Sequence, residues 1–186
     1  LAAETKDREE LAKLQAAGKE TSAVMREMRE WLATHRVQDD QVVDQEGKPL
    51  TIGRVKRHLW SKLLEHGLED PNGTVIFAQG RDAGVPHSRG EADDILRPGE
   101  SIIFDLFPRS METGYFHDMT RTWCLGYAPE HIQKDFNLVL DIFYRSLEGI
   151  NIGEPTRNID RQVCQWFEAA GHPTRLNTPN TQDGYV

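Results

Sequence analysis

Two aspartates in neighbouring apolar segments have the residue type and spacing to bind a metal ion together. Asp105 lies within Ile102–Phe107 and Asp118 within Gly114–Trp123, and turn-prone residues separate the two segments. Both segments are rich in β-forming residues, so they predict two antiparallel strands of a hairpin. With a turn centred between Met111 and Glu112, the two aspartates would lie directly opposite each other.

Directly opposed residues of a hairpin have Cβ atoms about 5 Å apart. Two carboxylates at that distance repel each other by roughly 3 kcal/mol at an effective dielectric of 20. The protein can protonate one of them, bring in Arg or Lys, or bind a cation, and we favour a bridged pair of divalent ions. The alternative is two solvated surface aspartates. The apolar flanks predict a buried hairpin, in which unpaired carboxylates would be costly.

The hairpin segment resembles a known metal-binding motif. Its second half reads GYFHDMTRTW, which is similar to the Gly-Tyr-x-x-Asp-x-Thr-Arg-Thr pattern of the methionine aminopeptidase, prolidase and creatinase superfamily of pita-bread metallopeptidases. Ala78–His87 resembles the superfamily's substrate-side segment, which ends in Pro-His. The N-terminal helix and the segment Gly153–His172 resemble further parts, so the similarity covers nearly the whole chain.

The chain departs from the superfamily pattern in two places. Phe107 and Pro108 follow Asp105-Leu106, where Gly commonly follows Asp-x, and the spacing between the aspartates is slightly longer. The sequence also stops where the superfamily continues into a His-Gly-x-Gly-His-type segment, which supplies the next metal ligand before two later Glu ligands. We therefore expect residues 1–186 to be the N-terminal two thirds of a pita-bread catalytic domain in a larger protein.

The resemblance implies a metal-dependent exopeptidase, in which a metal-bridged hydroxide attacks the scissile carbonyl and a Glu shuttles the proton. It implies that Asp105 and Asp118 are metal ligands, that Thr120 hydrogen-bonds a ligand carboxylate, and that His87 contacts the substrate or the intermediate as a catalytic residue. Two divalent ions of Mn, Co, Fe or Zn suit such a carboxylate-rich site with one His. Short Xaa-Pro peptides are the implied substrates, and a homodimer is the implied state of the intact protein.

Two other functions are compatible with the same fold. One is a catalytically inactive pita-bread domain that acts as a protein-binding module, as in histone-chaperone or growth-regulator relatives. The other is a creatinase-like amidinohydrolase that does not use the metal. Because both Asp105 and Asp118 are present, we favour the metallopeptidase. The sequence after Val186 would decide between them.

Two residues beside Asp118 and Thr120 are predicted to have other roles. Side chains alternate between the faces of a strand, so His117 should point away from Asp118 and not bind metal. Arg121 should also face that other side and connect the sheet to a helix.

The composition excludes several classes of function. The chain has 30 acidic and 22 basic residues among 186, with a net charge of −8, so non-specific binding to nucleic acid or to an anionic membrane is not expected. No apolar segment approaches the 18 residues of a membrane-spanning helix. The two cysteines do not form a disulfide framework, and we expect a reducing, cytoplasmic environment.

The N-terminal part of the chain predicts two helices. Lys6 to Arg36 has an apolar stripe at helical period, with Gly18 beside it. A loop or small hairpin follows, and then Thr51 is a suitable N-cap for a helix from Ile52 to His66 that ends at Gly67.

The remainder predicts a sheet followed by two more helices. Gly73–Ala78 is a predicted strand, and a long polar loop from Arg81 to Gly99 leads into the hairpin. Further helices are predicted after Pro129, with apolar residues from Phe136 to Leu147 as its core face, and from Arg157 to Ala170. This order predicts an α+β domain. The resemblance refines it to a pita-bread fold that is incomplete at the C-terminus, with a mixed, mostly antiparallel sheet flanked by helices.

Overall fold

The structure is a computed structural model, and it describes residues 5–176. The chain divides into two compact units, Leu1–Ala128 and Pro129–Val186. Both predicted aspartates lie in the first unit. None of the helices within residues 5–176 is both long and apolar enough to cross a membrane.

Two long helices of the first unit are close to their predicted positions. Helix α1 spans Arg8–Ala33 and helix α2 spans Ile52–Glu65. A capping box starts α1, because the Asp7 side chain accepts the backbone N–H of Glu10 and the Glu10 side chain accepts that of Asp7. Thr51 Oγ1 accepts an N–H in the first turn of α2, as its sequence position predicts.

Within residues 5–176, seven short strands form three separate sheets. The connection between α1 and α2 contains a small hairpin, and the sheet that carries Asp105 has three strands in the order Ile76–Gln79, Ser101–Leu106, Met119–Cys124. Every strand pair within residues 5–176 is antiparallel. The strands are β1 Arg36–Gln38, β2 Gln41–Val43, β3 Leu68–Glu69, β4 Ile76–Gln79, β5 Ser101–Leu106, β6 Arg109–Ser110 and β7 Met119–Cys124. The predicted α+β class is confirmed.

The core of the first unit lies between the two helices and one face of the three-stranded sheet. Along β5, three buried residues alternate with partly exposed ones, and Asp105 is one of the partly exposed. Phe104 of β5 pairs with Phe77 of β4, and the centres of their rings lie 5.3 Å apart. The helices contribute buried side chains at helical spacing, among them Val24, Met28 and Leu32 of α1 and Val55, Leu59 and Leu63 of α2. The sheet therefore has one core face, and Asp105 is on the other.

A histidine at the end of α2 connects the two long helices. His66 Nδ1 lies 2.8 Å from a carboxylate oxygen of Glu20, and His66 Nε2 lies 2.9 Å from one of Glu27. Lys62 Nζ also approaches Glu27, at 3.4 Å, and Glu65, at 2.7 Å. The hydrogen bond with Glu20, followed by that with Glu27, raises the pKa of His66 above its ordinary value. Only the protonated ring donates to both carboxylates at once.

We expect this contact to make stability depend on pH. A raised folded-state pKa stabilises the protein fully below the unfolded-state value of about 6.5, and the contribution is lost as the pH rises through the folded-state value. Urea unfolding of the parent and of His66→Gln should thus show the largest difference in acid and a smaller one at higher pH. His131→Gln is the control, because His131 is exposed and its side chain has no hydrogen bond or ion pair within the described residues. A difference that does not change with pH would contradict the assignment.

The described part of the second unit contains two helices, α3 Glu130–Glu148 and α4 Arg157–Ala169. Both helices are confirmed, but the predicted core face of α3 is not buried. Phe136, Val139 and Phe143 are 40%, 52% and 53% exposed, whereas Ile142 is buried. The guanidinium of Arg145 lies 4.1 Å from the ring centre of Trp166, a cation–π contact between the two helices.

Candidate metal centre

Strands β5 and β7 form the predicted hairpin, but with a different register. Asp105 pairs with Thr120, and the same register continues to a bridge between Arg109 and Phe116 near the turn. Asp118 therefore immediately precedes β7 and lies two residues before Thr120, which occupies the position opposite Asp105. The prediction that the two aspartates directly oppose each other is wrong.

The turn of the hairpin explains the register. The Ser110 N–H donates to Tyr115 O at 2.8 Å, so the turn is centred one residue later than predicted, between Glu112 and Thr113. The hydroxyl oxygen of Ser110 accepts the Thr113 N–H at 3.2 Å. Gly114 has φ of +75°, a left-handed conformation that glycine adopts without strain. These contacts close the turn around Ser110.

The changed register keeps both aspartates on the same face. Side chains alternate along a strand with a period of two, so a two-residue offset does not move Asp118 to the other side. Diagonal neighbours in an antiparallel pair have Cα atoms about 7–8 Å apart and Cβ atoms somewhat closer. Phe107 and Phe116 occupy the same face towards the turn, with stacked rings 5.1 Å apart. The predicted convergence of the two carboxylates on one face is thus observed.

The face that carries the carboxylates is more open than predicted. Asp118 and Thr120 are exposed, and Asp105 is partly exposed. The prediction of a buried hairpin is wrong because the apolar residues alternate with the carboxylates. Ile102, Phe104 and Leu106 point into the core and leave Asp105 on the opposite side.

The two carboxylates affect each other electrostatically. Although Asp118 is exposed as a residue, its carboxyl is partly shielded from water, and this shielding is the largest effect that raises its pKa. The negative charge of Asp105 and a hydrogen bond with it raise the pKa further, while His117 acts in the opposite direction. A divalent cation between two such carboxylates would remove their repulsion.

Thr120 holds one carboxylate in place. Its hydroxyl donates to Asp105 Oδ1 at 2.6 Å, directly across the strand pair. This bond fixes the orientation of the Asp105 carboxylate. The hydrogen bond has the geometry expected of a residue that orients a metal ligand, and the metal role itself stays a prediction.

We expect Thr120→Val to weaken divalent-metal binding about tenfold, since the loss of a group that orients a ligand typically costs 10–100-fold in affinity. Valine keeps the shape of the side chain and its preference for strands, so thermal unfolding should change little. Thr122→Val is the matched control, because Thr122 is two residues along β7 and its hydroxyl makes no hydrogen bond within residues 5–176. Equal metal affinities of the two variants would show that the Thr120 hydroxyl does not orient a ligand. Titration with Mn²⁺ provides the measurement.

His87 is exposed and lies in the loop after a short 3-10 helix, Gly80–Gly84. Its φ of +60° is uncommon for a residue other than glycine. The loop is attached to the rest of the unit, because Lys56 Nζ donates to Arg89 O at 2.6 Å and Gln79 Nε2 donates to Ile95 O at 2.7 Å. The catalytic role of His87 stays a prediction.

The other face of the β7 segment contacts helix α1. The His117 ring lies against Gly18, which is consistent with its predicted position away from Asp118. The Arg121 side chain donates to the backbone oxygen of Thr120 at 2.7 Å, and it lines a pocket together with Ser22 and Arg26 of α1. Its predicted role in connecting the sheet to a helix stays a prediction. Gly18 has no predicted role from the sequence, where its only signal is a glycine inside a strong helical pattern.

The pair Asp105 and Asp118 can supply part of a metal site. Carboxylate oxygens are ligands for Mn, Mg and Zn, and the two groups lie on one face with one of them oriented by a hydroxyl. No group of three or more His, Cys, Asp or Glu side chains suited to a metal ion occurs within residues 5–176. The donor set fits a divalent metal but is incomplete in this part of the chain.

Similar proteins are found in sequence and in structure. An uncharacterised peptidase of Staphylococcus haemolyticus is 26% identical over 123 residues, which are 66% of this chain and 34% of that protein. An uncharacterised peptidase of Staphylococcus aureus is 27% identical over 111 residues, which are 60% of this chain and 31% of that protein. The chain therefore spans about a third of the length of these relatives.

Solved structures share the fold of this chain at low identity. The prolidase from Pyrococcus furiosus superposes with a TM-score of 0.72 at 19% identity, over 89% of this chain and 44% of that protein. The X-Pro aminopeptidase from Thermotoga maritima gives a TM-score of 0.73 at 18% identity, over 89% of this chain and 42% of that protein. These superpositions confirm the predicted pita-bread fold. The chain covers less than half of the length of each of these two proteins.

The match to a family model covers more residues of this chain than the sequence match to either staphylococcal peptidase. Residues 12–182 match the Metallopeptidase family M24, and this range includes most of α1, both aspartates of the hairpin, and α4. The chain belongs to metallopeptidase family M24.

Proposed function

We propose that the whole protein is a metal-dependent exopeptidase that cleaves short peptides at the N-terminal residue, with Xaa-Pro peptides as substrates. The observation that carries this proposal is the placement of Asp105 and Asp118 on one face of the hairpin, with the Asp105 carboxylate oriented by Thr120. In a member of a metallopeptidase family, such a pair of retained carboxylates favours an active enzyme over a binding module.

The residues of this chain would have three tasks. Asp105 and Asp118 would hold two divalent ions of Mn, Co, Fe or Zn, and Thr120 would keep the Asp105 carboxylate in position. The bound ions would supply Lewis-acid catalysis and an activated water. His87, in its exposed loop, would hydrogen-bond the substrate carbonyl or the group that develops from it. The remaining ligands would come from parts of the whole protein outside this chain.

The Xaa-Pro preference rests on similarity to proteins whose names state it. A prolidase, an X-Pro aminopeptidase and an Xaa-Pro dipeptidase from Bacillus anthracis are among the structures with this fold. Their identities of 18–19% do not transfer a substrate, so the preference needs its own measurement. We also propose a cytoplasmic location and a homodimer, the latter to be measured by light scattering.

The test is peptide hydrolysis by the whole protein with and without metal. The apoprotein should be inactive, Mn²⁺ should restore turnover, and Xaa-Pro dipeptides or tripeptides should be cleaved faster than the matching Xaa-Ala peptides. Metal binding without hydrolysis of either series would favour the protein-binding alternative. Hydrolysis without an Xaa-Pro preference would support the metallopeptidase activity and contradict only the proposed substrate class.

His87→Ala should lower turnover of an Xaa-Pro peptide by about 10²-fold or more, the usual range for a positioned acid–base or oxyanion-binding group. The metal content should not change, because His87 is not proposed as a ligand. His172→Ala is the control, since His172 follows α4 in the second unit and has no proposed role. If His87→Ala turns over peptide at the parent rate, its catalytic assignment is wrong. Metal content by mass spectrometry and steady-state kinetics are the measurements.

A further inference from the structure

Gly18 is located in the interior of a 26-residue helix, where glycine is a poor choice. Glycine in a helix interior destabilises it by about 1 kcal/mol relative to alanine. A close contact accounts for the glycine: a Cβ atom at this position would lie 2.9 Å from His117 Cδ2 and 3.0 Å from His117 Nε2. Any side chain on Gly18 would therefore displace the His117 ring.

The His117 ring is partly buried, with one edge against α1. Its Nδ1 atom is buried and has no hydrogen-bond partner within residues 5–176. The backbone N–H of His117 donates to Pro108 O at 3.1 Å across the hairpin. Because the ring contacts α1 while its backbone is attached across the hairpin, a displacement of the ring is expected to shift the strand.

A second contact attaches the same segment to α1. Tyr115 is two residues before His117, so its side chain lies on the same side of the strand. The Tyr115 hydroxyl donates to Glu10 Oε1 at 3.2 Å, and Glu10 is two helical turns before Gly18. Helix α1 therefore contacts the segment that enters β7 at two points on one face.

We propose that Gly18 is a positioning residue for Asp118: by leaving space for the His117 ring on α1, it holds the start of β7 where Asp118 comes beside Asp105. His117 and Asp118 are adjacent and point to opposite faces, so a shift of one moves the other. This inference rests on the proposed metal site and identifies what holds one of its ligands. It also gives a reason for a glycine that weakens the helix containing it.

The test compares the Mn²⁺ affinity of the parent, a single variant and a double variant of the whole protein. Gly18→Ala should weaken Mn²⁺ binding about tenfold or more, the low end of the effect of groups that orient ligands. The double variant Gly18→Ala with His117→Ser should bind Mn²⁺ with the parent affinity to within about threefold. Serine has no ring, so the methyl group of Ala at position 18 no longer clashes with it. The EPR spectrum of bound Mn²⁺ should change in Gly18→Ala and return in the double variant. Those signals report ligand geometry, which a change of stability alone would not alter.

Gly149→Ala is the control for a glycine-to-alanine change, because a Cβ there meets no atom closer than 3.4 Å. It should bind Mn²⁺ like the parent. Parent affinity in Gly18→Ala would overturn the proposal, and so would a double variant that binds as weakly as Gly18→Ala. If Gly18→Ala does not fold, the double variant decides: it should fold and bind Mn²⁺, and its failure to do either overturns the proposal.

The outcomes separate this inference from the proposed function. A parent protein that binds no Mn²⁺ would contradict the metal site itself. A parent that binds Mn²⁺ and hydrolyses peptide, together with an unaffected Gly18→Ala variant, would keep the proposed function and remove only the role of Gly18.

Discussion

Asp118→Asn is expected to abolish metal-dependent peptide hydrolysis by the whole protein while the fold stays intact. The substitution removes one anionic ligand and replaces it with a neutral amide, so turnover should fall by more than about 100-fold, beyond the effect of changing a group that only orients a ligand. Metal content after dialysis should fall with it. Because Asp118 is exposed and its pKa is raised in part by the charge of Asp105, removing its charge relieves repulsion. The midpoint of thermal unfolding should be unchanged or slightly higher.

The control for this variant is another exposed aspartate. Asp135→Asn changes a residue of α3 whose side chain has no hydrogen bond or ion pair within the described residues, and it should keep parent turnover and metal content. Steady-state kinetics on an Xaa-Pro peptide, metal analysis and circular dichroism complete the comparison. Parent-level turnover and metal content in Asp118→Asn would show that the carboxylate face of the hairpin is not the metal centre.

The carboxylate face of the hairpin could be predicted from sequence because it depends only on alternation. The turn is centred one residue later than predicted, so the residue opposite Asp105 is Thr120 and not Asp118. A two-residue offset preserves the face, so the convergence of the aspartates survived an error in register. The register itself depended on contacts of Ser110 and Gly114 within the turn, which a count of strand residues does not reveal.

Local signals also predicted the helices of the first unit. The N-cap at Thr51 and the glycine after α2 gave the ends of that helix to within one residue. Contacts between distant residues were not predictable in this way. The link from His66 to Glu20 and Glu27 joins residues 46 and 39 positions apart. The strands β3 and β6 have two residues each, too few to show any periodicity.

The face of the sheet opposite the carboxylates should account for much of the stability of the first unit, and Phe104→Ala tests this. Phe104 has no exposed surface and lies beside Asp105 on the central strand. Its ring is 5.3 Å from that of Phe77 and 5.0 Å from that of Trp123. Truncation of a buried phenylalanine leaves a cavity and typically costs about 3–5 kcal/mol. Denaturant unfolding should show a lower midpoint without a change of slope.

Phe107→Ala provides the matched comparison on the opposite face of the same hairpin. Phe107 is 43% exposed and stacks on Phe116, so its loss should cost clearly less than that of Phe104, with the aromatic pair contributing about 0.5–1.5 kcal/mol beyond the area it buries. A similar cost for both variants would contradict the assignment of the two faces. A much larger cost for Phe104→Ala would show that the side chains behind Asp105 form the rigid support on which the proposed metal ligands depend.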